Sequence, residues 1–113
     1  MASKYGKKFD RVLRELRKSC PVNAPVKIAI KDLKKQKLCG SCTAYVDDNG
    51  KIYLFLIELD ANMSLAAAID TLLHEWAHAM DKEQNGLPTE PHRNSWGACY
   101  AKTWRAWLDM PEA

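Results

Sequence analysis

Ten residues in the middle of the chain, Thr71 to Met80, constrain its fold more than any other stretch. They contain His74-Glu75-Trp76-Ala77-His78. Residues four apart lie on one face of a helix, so both imidazoles can reach one metal ion if this segment is helical. Glu75 then stands beside a metal-bound water and can take its proton. Two imidazole ligands and a neighbouring base are the working parts of a zinc hydrolase. A structural reading competes with this one. In it, His74 and His78 are satisfied interior histidines and Glu75 is a solvated charge.

The periodicity around the motif predicts a helix over about 64–84, with Asn62 or Ser64 as its N-cap. Leu65, Ile69, Leu72, Leu73, Trp76 and Met80 form its apolar face. Asp70, Thr71, His74, His78 and Asp81 project from the opposite side. Asp70 and Asp81 read as solvated helix acids rather than as groups that orient an imidazole. Trp76 points away from the two His and reads as core. Asn85-Gly86 with Pro88 beyond it is a helix stop.

The remaining elements follow from similar patterns. Tyr5, Phe9, Val12, Leu13 and Leu16 make one stripe of an amphipathic helix over 4–18, closed by Pro21 and Pro25. Val26-Lys27-Ile28-Ala29-Ile30 alternates as a strand does. A basic connection, residues 31–37, follows. Residues 43–46 and 51–57 read as two further strands around Asp47-Asp48-Asn49-Gly50, and Asn-Gly is a strong hairpin signal. The third strand is apolar at nearly every position and is expected to be covered on both faces. A last helix runs from about Arg93 to Leu108, with Trp96, Tyr100, Thr103, Trp104 and Trp107 as its buried stripe. At 113 residues, this is one α+β domain spanning 1–113.

Catalytic zinc needs a third protein ligand. Downstream of His78 the candidates are His92, Glu83, Glu90 and Glu112. Glu83 points to the far side of the helix, Glu112 lies at the terminus, and Glu90 sits in the connecting loop. His92 lies one turn before Trp96 and projects with the stripe of the last helix, so it is the third ligand we expect. The expected set is therefore His74, His78 and His92 around one zinc per chain, with Glu75 catalytic. Tyr45, Tyr53 and Tyr100 are candidates to stabilise an oxyanion.

The stretches Leu72-Leu73-His74-Glu75-Trp76-Ala77-His78-Ala79 and Pro91-His92-Arg93-Asn94-Ser95-Trp96-Gly97 resemble the SprT-like zinc metallopeptidases, the family of SprT and Spartan. So does the order helix, three strands, active-site helix, ligand-bearing helix. The resemblance implies a zincin-like minimal domain, with zinc ligands at His74, His78 and His92 and a catalytic Glu75. It also suggests proteolysis of nucleic-acid-associated proteins. The family often has Gly after its third His, where this chain has Arg93. Some members add a four-Cys zinc ribbon or DNA-binding tails, whereas this sequence ends at Ala113.

Charge adds a second hypothesis. Residues 1–37 hold twelve Lys/Arg against three acids, and the rest holds five against eleven. Lys7, Lys8, Arg11, Arg14 and Lys18 fall on one face of the first helix, a surface for weak, sequence-indifferent contact with nucleic acid. A non-catalytic, zinc-containing nucleic-acid- or protein-binding module of the same fold is thus the alternative to a metalloendopeptidase. An intact Glu75 favours the enzyme. No run of 18 apolar residues exists to span a membrane, and the N-terminus lacks a secretory signal core. The expectation is a cytoplasmic protein with Cys20, Cys39, Cys42 and Cys99 reduced. Cys39-Gly40-Ser41-Cys42, a single Cys-x-x-Cys, is a weak metal signal.

Overall fold

The computed structural model describes residues 4–87, 90 and 92–111. Pro88, Pro91 and Glu112 lie outside them. Three helices and a three-stranded mixed sheet follow one another as α1 (Gly6–Ser19), β1 (Val26–Lys31), β2 (Gly40–Val46), β3 (Ile52–Asp60), α2 (Leu65–Asn85) and α3 (Asn94–Leu108). A short 3-10 turn, Lys34–Gln36, interrupts the basic connection between β1 and β2. Sheet order is β1-β3-β2, with β1 parallel and β2 antiparallel to β3.

The hairpin forms where Asn-Gly predicts it. Gly50 takes φ +81°, and Asp47 Oδ1 accepts from the amides of Asn49 and Lys51. β2 begins at Gly40, three residues before the apolar pattern starts. A Cβ at residue 40 would lie 2.7 Å from Thr71 Cγ2 and 2.9 Å from the Glu58 carbonyl oxygen. Only glycine lets the edge strand approach α2 this closely. Ser64 is the N-cap of α2, its side chain accepting from the Ala67 amide.

Phe55, Ile57 and Leu59 of β3 are fully buried under the helices, and Val26 of β1 lies on the same face. The other face of β3, with Leu54, Leu56 and Glu58, is half-buried. The sheet is therefore covered on one side, not two as the apolar run suggests. A central strand is dense in apolar residues because neighbours flank it on both edges, even where one face meets solvent. Val12 and Leu16 of α1 join Ile69, Leu72, Leu73 and Trp76 of α2 in one core. Leu65, expected on that apolar face, is exposed in the first turn of α2. Trp76 donates through Nε1 to the Cys20 carbonyl at 2.8 Å, so its one polar atom is satisfied within the core. Truncating it to Ala costs about 3–5 kcal/mol. Among the described residues no helix is long and apolar enough to cross a membrane.

Candidate metal centre

α2 buries one face and leaves its opposite side half-open, and His74 and His78 stand on that side. His92 approaches from the turn leading into α3. Its Nε2 lies 3.3 Å from His74 Nε2, and the ligand atoms of His74, His78 and His92 all lie within 4.8 Å of one another. Two nitrogens bound at zinc-ligand distance in a tetrahedral site are about 3.3 Å apart, the spacing of the His74 and His92 pair, and all three residues lie close enough to hold one metal ion. It is the group of three metal-ligating side chains found among the described residues. Glu90 is not part of it.

Electrostatics favour the neutral form of His74 and His78, the form that binds metal. Burial lowers the pKa of His74, and the nearby His92 lowers it further against the charge of Asp70. His78 falls to about 4, from burial first and then from His74, Lys82 and His92. Glu75 is buried, with a carboxylate oxygen 3.8 Å from His74 Nε2. Its pKa rises to about 7 because burial disfavours the anion, while Lys82 partly opposes the shift. Among the described residues its carboxylate has no hydrogen-bond partner, and a buried carboxyl with a shifted pKa on a half-open polar face is a candidate functional group.

α3 closes the site. Thr103 is fully buried and its hydroxyl donates to the Leu73 carbonyl at 3.1 Å, fixing α3 on α2. Trp96 stacks on His78 at 5.2 Å between ring centroids and on Tyr100 at 5.0 Å. Trp96 Nε1 also donates to the His74 carbonyl at 3.4 Å. The predicted stripe is thus buried at Thr103, while Trp96, Tyr100, Trp104 and Trp107 are half-buried and Cys99 takes a buried place beside them. Of the three candidate tyrosines, Tyr100 is the one beside the cluster, its ring 5.6 Å from that of His74. Its hydroxyl donates to Asp70 Oδ1 at 2.5 Å. Tyr45 and Tyr53 are exposed near the hairpin and pair with each other.

Asp81 departs from the expectation of a solvated acid. It is 1 % exposed and receives Arg93 Nε at 2.7 Å and Asn85 Nδ2 at 3.0 Å. Burial pushes its pKa up, but hydrogen bonds from Ser95, Arg93 and Asn85 more than offset this and hold the carboxyl below the usual range. Arg93 also donates to the Gly86 carbonyl. The residue after His92 therefore ties that ligand's turn to the end of α2, a role no glycine could fill. Asp70 is exposed, as expected.

One further residue escaped the sequence reading. Lys82 follows Glu75 by seven positions and His78 by four, a spacing that places all three on one face. Its Nζ donates to the Cys42 carbonyl at 2.7 Å. Glu83 does point to the far side, where its oxygens accept from the amides of Asn23 and Ala24 and so anchor the loop before β1. The four cysteines are free. Burial pushes the Cys42 thiol up to about 12, so Cys39 and Cys42 present no thiolate pair at neutral pH. No family model matches this chain, and neither the curated proteins nor the solved structures give a match.

Proposed function

We propose that this chain is a zinc-dependent metalloendopeptidase of the SprT-like kind, built on a zincin-like domain. The observation that carries the reading is three imidazoles converging within 4.8 Å beside a buried carboxylate, that of Glu75. His74, His78 and His92 would hold the ion. When bound, zinc supplies Lewis acidity toward a scissile carbonyl and eases deprotonation of water. Glu75 is the chain's own base. It accepts a proton from the attacking water as the new C–O bond forms, and returns it to the amine as the C–N bond breaks. Trp96 walls the site against solvent on the His78 side, and Tyr100, held by Asp70, borders His74.

Nucleic-acid-associated proteins are the substrate class we propose, through non-specific attraction at the basic end of the chain. Lys7, Lys8, Arg14 and Lys18 are exposed along α1. Arg11 is half-buried and donates to the Pro111 carbonyl at 2.6 Å, which removes it from the free face.

The test is hydrolysis of dye-labelled casein, with and without double-stranded DNA. Cleavage should stop with 1,10-phenanthroline, return with zinc, and be absent in Glu75→Gln. A Glu75→Gln protein of full activity refutes the mechanism. A wild type that binds zinc and DNA without cleaving supports the binding-module alternative.

A further inference from the structure

The sheet has two free edges, and the one remote from the metal centre carries a groove. β1 forms this edge, and α1 runs antiparallel alongside it. Arg17 NH2 donates to the Val26 carbonyl at the start of β1, while the Tyr5 hydroxyl donates to the carbonyl of Asp60, the register partner of Lys31 at its end. Between helix and strand lies a cavity of about 680 Å³.

The backbone of β1 faces this cavity with half its polar groups. Pro25 and Lys31 turn their carbonyls to β3, accepting from the amides of Phe55 and Ala61. Alternation along a strand then directs the odd-numbered residues to β3 and the even-numbered ones outward. The outward Val26 carbonyl is taken by Arg17, as that alternation requires. The N–H and C=O groups of Ile28 and Ile30 point into the groove, where no strand of the described residues pairs with them. Leu13, Ile28 and Ile30 give it half-buried apolar walls. Lys4, Arg17 and Lys27 line it as exposed cations against one acid, Asp10.

The geometry points to a peptide-docking site: an extended, acidic segment of another protein adds to β1 as a fourth strand. Strand addition supplies main-chain hydrogen bonds, and alternate side chains reach the apolar walls. The cationic rim selects glutamate or aspartate at the flanking positions. A second copy of this chain is a poor occupant, since pairing two β1 edges brings both cationic rims together. Gly6 to Arg17 rises about 16 Å, which matches roughly five extended residues. The inference does not depend on the metal centre.

The experiment titrates the full chain at low salt with the fluorescein-labelled peptide Glu-Val-Thr-Val-Glu, and with its counterpart Lys-Val-Thr-Val-Lys. The acidic peptide should bind saturably, and the basic one at least about tenfold more weakly. On binding, the Ile28 and Ile30 amides should gain protection from hydrogen exchange. Ile28→Pro removes an outward N–H without touching the ladder to β3, and should abolish binding. The double variant Lys4→Glu/Lys27→Glu changes exposed positions alone and should weaken binding about tenfold, which keeps the test informative if the proline variant misfolds. The inference is overturned by absence of saturable binding, by indifference to the charge reversal, or by protection confined to β2. Protection of Ile28 and Ile30 that rises with protein concentration, without peptide, would assign the edge to a second copy and overturn it too.

Discussion

Helix α2 carries two buried acids, Glu75 and Asp81, less than two turns apart, and they are opposites. Both are under 10 % exposed. Asp81 sits in the last turns among Arg93, Asn85 and Ser95, which keep its carboxyl ionised in spite of burial. Glu75 sits in the middle of the helix beside His74, with the charge of Lys82 as the counterweight to desolvation, and its pKa climbs to about 7. Burial is common to the two; partners decide the outcome. The satisfied acid holds the ligand-bearing turn in place. The other has no hydrogen-bond partner among the described residues, and it is the base of the proposed reaction.

The largest expected effect breaks the Glu75 side of this contrast. Glu75→Gln should lower casein cleavage by about 10²–10⁴-fold while zinc content stays at the wild-type level. An equal loss in Glu75→Gln and Asp81→Asn, with both proteins folded and zinc-loaded, would erase the distinction between the acids. Next in size is Asp81→Ala, which strands Arg93 and should cost about 3 kcal/mol in urea denaturation. It should also weaken zinc binding about 10–100-fold through the freed His92 turn.

A third measurement reverses the sign. For the metal-free protein, Glu75 binds its proton more tightly when folded. Stability therefore falls as pH rises from about 4.5 to about 7 and levels off above that. Glu75→Gln should then stabilise the metal-free chain by about 1–3 kcal/mol above pH 7, with the gain gone near pH 4.5. Asp81 works the other way. Its depressed folded pKa contributes stability that is full above the unfolded carboxylate range and lost as pH falls through the folded value. Urea midpoints of both variants from pH 3 to 8 check the two slopes, and parallel curves would contradict the contrast. The smallest effect sharpens it. Lys82→Met should move the Glu75 carboxyl titration upward, read by carbon NMR of the metal-free protein, and leave that of Asp81 unmoved.

Much of this arrangement was legible in the chain. Helical spacing put His74 and His78 together, because periodicity determines direction within one element; His92 was singled out by its place one turn before Trp96, although it lies in the turn that precedes α3. Asn49-Gly50 located the hairpin, and Asn85-Gly86 ended α2, because those backbone conformations favour few residues. Asp81 was misread for a reason of the same kind. Its spacing placed it correctly on the polar side, but burial came from Arg93, a partner twelve residues away in another turn. The covering of β3 was misjudged because apolar density reports neighbours at the edges as well as on the faces. Gly40 was unreadable in isolation, since its need arises from the closeness of Thr71. Lys82 was within reach of the sequence, as its spacing from Glu75 and His78 is helical.

Zinc stoichiometry tests the centre of this account most directly. Wild type, His92→Ala and Glu90→Ala should be purified in parallel, equilibrated with zinc, desalted and assayed by elemental analysis. The account predicts one zinc per wild-type chain, the same in Glu90→Ala, and loss of most of the metal in His92→Ala. Wild type without zinc, or zinc kept by His92→Ala and lost by Glu90→Ala, would contradict it.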